Sequence, residues 1–118
     1  MTLAADLLVG LVAALHVGFL VLEMVLWDTP TGRRIFRLTP EMAAATKGLA
    51  ANQGLYNGFL AAGLVWSLTQ GDAGAPVAVF FLACVVVAGV FGAATVNRRI
   101  LYVQALPAAV ALAAVLAS

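Results

Sequence analysis

The chain has 118 residues, of which 64% are hydrophobic and only 9% are charged, and its mean hydropathy is +1.09. Soluble domains usually carry about 25% charged residues, so this composition excludes an ordinary water-exposed globular domain. The net charge of +1, without a basic patch interleaved with aromatic residues, also excludes a typical nucleic-acid-binding protein.

The first predicted element is an apolar helix over residues 3–27. About 20 mainly apolar residues suffice to cross a hydrocarbon core roughly 30 Å thick, and this stretch meets that length. It carries Asp6 and no preceding Lys or Arg, unlike a secretory signal peptide, so we expect a retained membrane-spanning helix. His16 and Glu23 are separated on it by about 20° around the axis, and therefore share one face.

A basic connection over residues 28–38 comes next. Its segment Arg33-Arg34-Ile35-Phe36-Arg37-Leu38 is typical of an interfacial stretch attracted to anionic lipid headgroups. The second long helix is predicted to begin at Thr39-Pro40-Glu41, because Thr is a good N-cap, Pro suits the first helical position and Glu complements the helix dipole. The helix continues to Thr69, and residues 48–69 are apolar enough to span a membrane.

Polar residues and small residues alternate along this second span. The polar ones are Asn52, Gln53, Tyr56 and Asn57. The small ones, spaced by four, are Ala50, Gly54, Gly58 and Ala62. Small residues allow two membrane helices to approach closely. We therefore expect the polar quartet to flank a tight helix contact.

Two further spans are predicted over residues 76–96 and 99–117, and Pro107 is expected to bend the last one. A small-residue stripe on the third span consists of Cys84, Ala88 and Gly92. The single cysteine offers no intrachain disulfide and no zinc site, and is interpreted as a packing residue.

Short connections between successive helices indicate antiparallel neighbours, so the predicted fold is all-α. We expect an integral membrane four-helix up-down bundle that forms a single domain over residues 1–118. All six basic residues belong to the first and third connections, if Lys47, which precedes the span 48–69, and Arg99, at the very start of the last span, are counted with them. By the positive-inside rule these connections are cytoplasmic and both termini lie outside.

The polar residues of the four spans are predicted to form a funnel that opens toward the cytoplasm. Its members are His16, Glu23, Asn52, Gln53, Tyr56, Asn57 and Gln104. Ionisable groups inside a membrane are functional-site candidates, and Glu23 is the expected titrating group. One His and one Glu fall short of the usual metal ligand sets, so neither a metal nor a cofactor is expected.

Three functions fit this pattern. The first is the binding or transport of a small amphipathic or cationic molecule at Glu23. The second is a membrane enzyme acting on a lipid or isoprenoid, with Glu23 and His16 as acid and base. The third is a structural or assembly subunit. A homo-oligomer is also expected, because Gly10, Ala14 and Gly18 form a small-residue face nearly opposite the polar face of the first helix.

Three strings of the chain carry a resemblance to a known family: HVGFLVLEMVLWDTPTGRRIFRLTPE, ATKGLAANQGLYNGFLAAGL and VVAGVFGAATVNRRILYVQALPA. They resemble the small bacterial membrane proteins grouped as domain of unknown function 1304. The resemblance implies a four-helix protein of the bacterial cytoplasmic membrane, with lipid as its surroundings, and implies no activity. The chain is also similar to small multidrug-resistance transporters in its length and in having a glutamate in its first helix, and this likeness is an analogy.

Overall fold

The structure, a computed structural model, describes residues 1–118, and its regular elements are all helical. This confirms the predicted all-α class. Five α-helices follow one another along the chain: α1 (Leu3–Met24), α2 (Pro30–Phe36), α3 (Pro40–Thr69), α4 (Ala75–Thr95) and α5 (Leu106–Ala117). A 3₁₀ turn, Gly71–Gly74, precedes α4, and a π turn, Leu101–Ala105, precedes α5.

Helix α3 begins and ends where the sequence predicts. The Thr39 hydroxyl accepts a hydrogen bond from the Met42 N–H at 3.1 Å, and Pro40 occupies the first helical position. Helix α1, in contrast, ends at Met24 and not at Trp27. The N–H groups of Val25 and Leu26 both reach the carbonyl of Val21, so the last turn widens and the helix stops there.

The connection predicted over residues 28–38 contains a helix that the sequence reading missed. Thr29 caps α2 by accepting a hydrogen bond from the Gly32 N–H at 3.2 Å, and Pro30 starts the helix. Thr29-Pro30 is therefore the same start signal as Thr39-Pro40, used a second time. The helix has seven residues because Arg37 adopts a left-handed conformation and ends it.

Two helical segments are long and apolar enough to cross a membrane, namely Leu3–Met24 and Gly71–Thr95. The segment Leu101–Ala117 is apolar but shorter than a full span. Helix α3 has 30 residues, yet its polar first turns and the quartet at 52–57 lower its hydropathy. Length and composition thus support two of the four predicted spans directly.

A π turn lies immediately before Leu106-Pro107, where the sequence predicts a bend. The Leu106 N–H donates to the carbonyl of Leu101, five residues back, immediately before the proline. Proline has no N–H and its ring clashes with the carbonyl four residues earlier in a regular helix. The wider turn relieves both conflicts, as π turns inside helices commonly do.

The chain divides into two compact units. The terminal unit comprises Met1–Ala14 with Leu60–Ser118, and the central unit comprises Leu15–Phe59. The terminal unit has its own apolar core, rich in alanine, to which α1, α3, α4 and α5 all contribute. Its members are Ala5, Val9, Val12, Ala13, Leu64, Ala78, Leu82, Val85, Ala108, Ala111 and Val115.

Two close helix approaches in the terminal unit occur at glycines outside the stripe predicted on the third span. A Cβ at Gly89 would stand 2.6 Å from the Ala105 backbone nitrogen. Gly63 leaves room for the ring of Phe81. Of the predicted stripe, Gly92 packs near Ile100, whereas Ala88 is exposed. The π turn brings Ala105 to Gly89, and sequence spacing alone does not reveal that contact.

Candidate functional site

The central unit places the end of α1 tightly against the middle of α3 at Gly54. A Cβ at this position would lie 2.5 Å from Met24 Cγ, 3.1 Å from Glu23 Cβ and 3.3 Å from the Leu20 carbonyl oxygen. One helical turn further along α3, Gly58 meets Leu20 in the same way. The expected tight contact beside the polar residues therefore exists, and its partner is α1.

The tight contact brings two candidate site residues together. The Asn57 side-chain amide donates a hydrogen bond to Glu23 Oε1. Asn57 is buried, while Glu23 is half-buried. The chain's ion pairs join Met1 to Asp72 and Arg33 to Asp28, so Glu23 pairs with a neutral amide and with neither of these cations. The Glu23 carboxylate can therefore still accept a hydrogen bond from a second donor.

Asn57 belongs to the buried stripe of α3, which differs from the stripe predicted with a spacing of four. Its members are Ala43, Ala50, Gly54, Asn57, Ala61, Leu64 and Ser67, and Gly63 is buried beside it against Phe81. The members of the stripe repeat with a mean period near 3.5 residues. A strict spacing of four would move each successive side chain by about 40° around the helix axis, and so away from the buried face. The predicted member Ala62 is consequently exposed.

The polar quartet is split between two environments. Asn57 faces α1, whereas Asn52, Gln53 and Tyr56 are exposed. Tyr56 is 55% exposed, and its ring contacts that of Phe59 edge-on at a centroid distance of 5.8 Å. Of the four residues, Asn57 is the one that contacts the carboxylate, and the single wall expected of all four stays a prediction.

His16 is fully buried, and its ring contacts that of Phe19 at a centroid distance of 5.1 Å. Seven residues of helix separate His16 from Glu23, which corresponds to roughly 10 Å along the axis. A direct hydrogen bond between them is therefore excluded. Gln104 belongs to the terminal unit, where it is half-buried on the π turn. The funnel that was to include both residues stays a prediction.

Contacts that the sequence reading missed surround the end of α1. The Trp27 indole N–H donates to the Thr46 hydroxyl at 3.0 Å, and the Trp27 ring packs on Phe36 at 4.6 Å. Arg33 Nη1 lies 2.9 Å from Asp28 Oδ1. The sequence signal that could have revealed these contacts is the N-cap at Thr29, which starts α2, the helix that carries Phe36.

Two surface grooves of the terminal unit are apolar and shallow. One lies along α4 between Phe80 and Phe91, and a second lies beside Trp66 and Pro76. No group of three or more His, Cys, Asp or Glu side chains in the chain could hold a metal ion. The Glu23–Asn57 pair is thus the best-defined polar site.

Comparison with known proteins identifies the family. The family model described as "Protein of unknown function (DUF1304)" matches residues 10–116. The chain belongs to the DUF1304 family. The region that matches DUF1304 includes the Glu23–Asn57 pair, Gly54 and the whole central unit.

The DUF1304 chain is also similar to an uncharacterized protein, YpaA, of Lactococcus lactis subsp. lactis (strain IL1403). The two are 27% identical over 106 residues, which cover 88% of this chain and 89% of the relative. No solved structure matches the chain.

Proposed function

We propose that this DUF1304 protein is an integral membrane protein with four up-down helices that binds a small amphipathic cation at Glu23. The exposed surface supports the membrane part of this proposal. The most apolar stretches of the two candidate spans are only 22% buried, and the side chains they expose include Leu7, Val87 and Phe91. A core helix of a soluble protein would instead be mostly buried, whereas lipid tolerates such apolar surfaces.

The observation that carries the proposed binding function is the pairing of Glu23 with a neutral amide. A carboxylate placed in an apolar helix needs compensation, and Asn57 supplies one donor but no positive charge. A bound cation would complete the compensation. The apolar side chains of Leu20 and Met24 lie on the same helix end, so the ligand should carry an apolar body as well as a charge.

The position of the pair also favours a ligand that arrives from the cytoplasm. Under the positive-inside rule, the connection with Arg33, Arg34 and Arg37 is cytoplasmic. Glu23 lies one turn before Trp27, and tryptophan is enriched at membrane interfaces. In this arrangement Glu23 stands just inside the cytoplasmic boundary, where an amphipathic cation concentrates.

A fluorescence titration with tetraphenylphosphonium, a lipophilic cation, tests this proposal. With Trp66 replaced by Phe, Trp27 becomes the only tryptophan and reports binding four residues from Glu23. We expect saturable quenching for this background protein in mild detergent. Glu23→Gln should weaken the apparent affinity at least tenfold, because it removes the charge and keeps the side-chain shape.

Glu41→Gln is the matched control, since Glu41 is an exposed carboxylate in the first turn of α3. It should leave the titration unchanged. Equal quenching by the cation in the background protein and in Glu23→Gln would remove Glu23 from the binding site. The enzyme alternative, with His16 and Glu23 as acid and base, has less support, because His16 is fully buried and two turns away from Glu23.

We also propose that the protein forms a homo-oligomer through the small-residue face of α1. Ala14 and Gly18 are exposed, and no atom lies within 4 Å of where a Gly18 Cβ would stand. Ala14→Leu with Gly18→Leu should lower the mass of the detergent-solubilised protein by light scattering. Gly48→Leu, at another open helix position, is the control, and an unchanged mass in the α1 variant would contradict the proposed interface.

A further inference from the structure

The short helix α2 and the residue that ends it carry positive charge that lies outside the chain's ion pairs. Arg33 is neutralised by Asp28 at 2.9 Å. Arg34 and Arg37 are both exposed and take part in neither of the chain's ion pairs. Arg34 lies on α2 and Arg37 ends it, and Ile35, which follows Arg34, is 44% exposed. The segment therefore exposes two positive side chains and one apolar side chain.

The helix is held firmly in place. Thr29 caps its start, and the Thr29 hydroxyl also donates to the Leu26 carbonyl at 2.6 Å. Gly32 is buried against the Leu26 carbonyl, so no side chain fits there. At the other end Phe36 packs on Trp27, whose indole donates to Thr46. The two exposed arginines are therefore presented from a fixed support.

Arg37 has a backbone conformation that favours a different residue. Its φ of 56° and ψ of 47° are left-handed, and its N–H donates to the Arg33 carbonyl to end the helix. Glycine, or less often asparagine, is usual at this helix-ending position because a Cβ is strained there. Strained residues of this kind are concentrated at functional sites, so the Arg37 side chain is a candidate for a role outside the fold.

We propose that α2 is a docking surface for anionic phospholipid, in which Arg34 and Arg37 bind the headgroup phosphates and Ile35 enters the adjoining apolar layer. This inference rests on the proposed membrane insertion. Charge complementarity supports it, since guanidinium groups bind phosphate oxygens in pairs and basic clusters next to a membrane span attract anionic lipid.

The test compares the thermal unfolding of the full-length protein in dodecyl maltoside with added phosphatidylglycerol or phosphatidylcholine of identical acyl chains. We expect phosphatidylglycerol to raise the midpoint of the wild type by several degrees more than phosphatidylcholine does. The Arg34→Gln, Arg37→Gln double variant should lose this difference. Inorganic phosphate at millimolar concentration should not reproduce the shift, because the proposed ligand includes the apolar layer.

Arg37→Gly separates lipid binding from folding. Glycine suits the left-handed position, so this variant should unfold at a higher temperature than the wild type in detergent alone, yet respond less to phosphatidylglycerol. Arg98→Gln with Arg99→Gln, the same charge change in the other basic connection, is the control and should keep the full response. An undiminished response in both the double variant and Arg37→Gly would overturn the proposal.

Failure of the membrane proposal itself gives a different result. A protein that leaves the membrane fraction in alkaline carbonate would refute membrane insertion, and the docking surface with it. A protein that stays in that fraction, but responds equally to the two lipids, would refute the docking surface alone.

Discussion

Asn52 and Asn57 are the same residue type on the same helix, yet only Asn57 contacts Glu23. Asn57 is buried and donates to Glu23, whereas Asn52 is exposed. The sequence identified both as candidates, because each interrupts an apolar span. It could not separate them, since that depends on the angle at which α3 meets α1. A small-residue stripe with a spacing of four predicts Asn57 beside the contact between α3 and α1. The observed period near 3.5 places Asn57 inside that contact.

This difference predicts opposite stability effects for one substitution at the two positions. Asn57→Ala leaves the half-buried Glu23 carboxylate without its donor, and should reduce the free energy of unfolding by about 1–3 kcal/mol. Asn52→Ala should change it by less than about 0.5 kcal/mol, as is usual for exposed side chains. Thermal unfolding in mild detergent, followed by circular dichroism, measures both. Equal losses would show that the hydrogen bond to Glu23 contributes nothing specific.

Among the helices, α3 and α4 were predicted almost to the residue because their boundaries depend on local chemistry. Thr39-Pro40 starts α3, and the Gly71–Gly74 turn separates it from α4. The same local rule explains α2, which was missed because seven residues give too short an apolar pattern. The π turn and the Gly89–Ala105 approach required knowledge of how helices pack, and no local pattern encodes that.

Glycine positions on α3 test the tight contact at the level of the helix pair. A Cβ at Gly54 would collide with Met24 and crowd Glu23 and Leu20, so Gly54→Ala should destabilise the protein by about 1–3 kcal/mol. Gly48 has nothing within 4 Å, and Gly48→Ala should stabilise it by roughly 0.5–1 kcal/mol through helix propensity.

Both glycine variants are compared by their unfolding midpoints in the same detergent, with a tetraphenylphosphonium titration of each. Gly54→Ala should also weaken binding of the cation, because it displaces the helix end that carries Glu23. A Gly54→Ala protein as stable as Gly48→Ala would mean that α1 and α3 do not pack closely at this point.

For the whole chain, the proposed membrane orientation rests on composition and charge distribution. Two segments have the length and apolarity of spans, and α3 and Leu101–Ala117 fall short by these criteria alone. The proposal of four crossings rests on the segregation of all six basic residues to alternate connections. Glu23 faces the cytoplasmic side only if that orientation holds, so topology is the premise of the binding function.

Cysteine labelling in intact cells tests this premise most directly. In a Cys84→Ala background, single cysteines at Thr31, Ala73 and Ser118 occupy exposed positions. Thr31 represents the first connection, because a side chain at the neighbouring Gly32 would clash with the Leu26 carbonyl. We predict that an impermeant maleimide labels Ala73→Cys and Ser118→Cys from outside, and labels Thr31→Cys only after the cells are opened. Labelling of Thr31→Cys in intact cells, with Ala73→Cys and Ser118→Cys protected, would contradict the account and place Glu23 at the outer face.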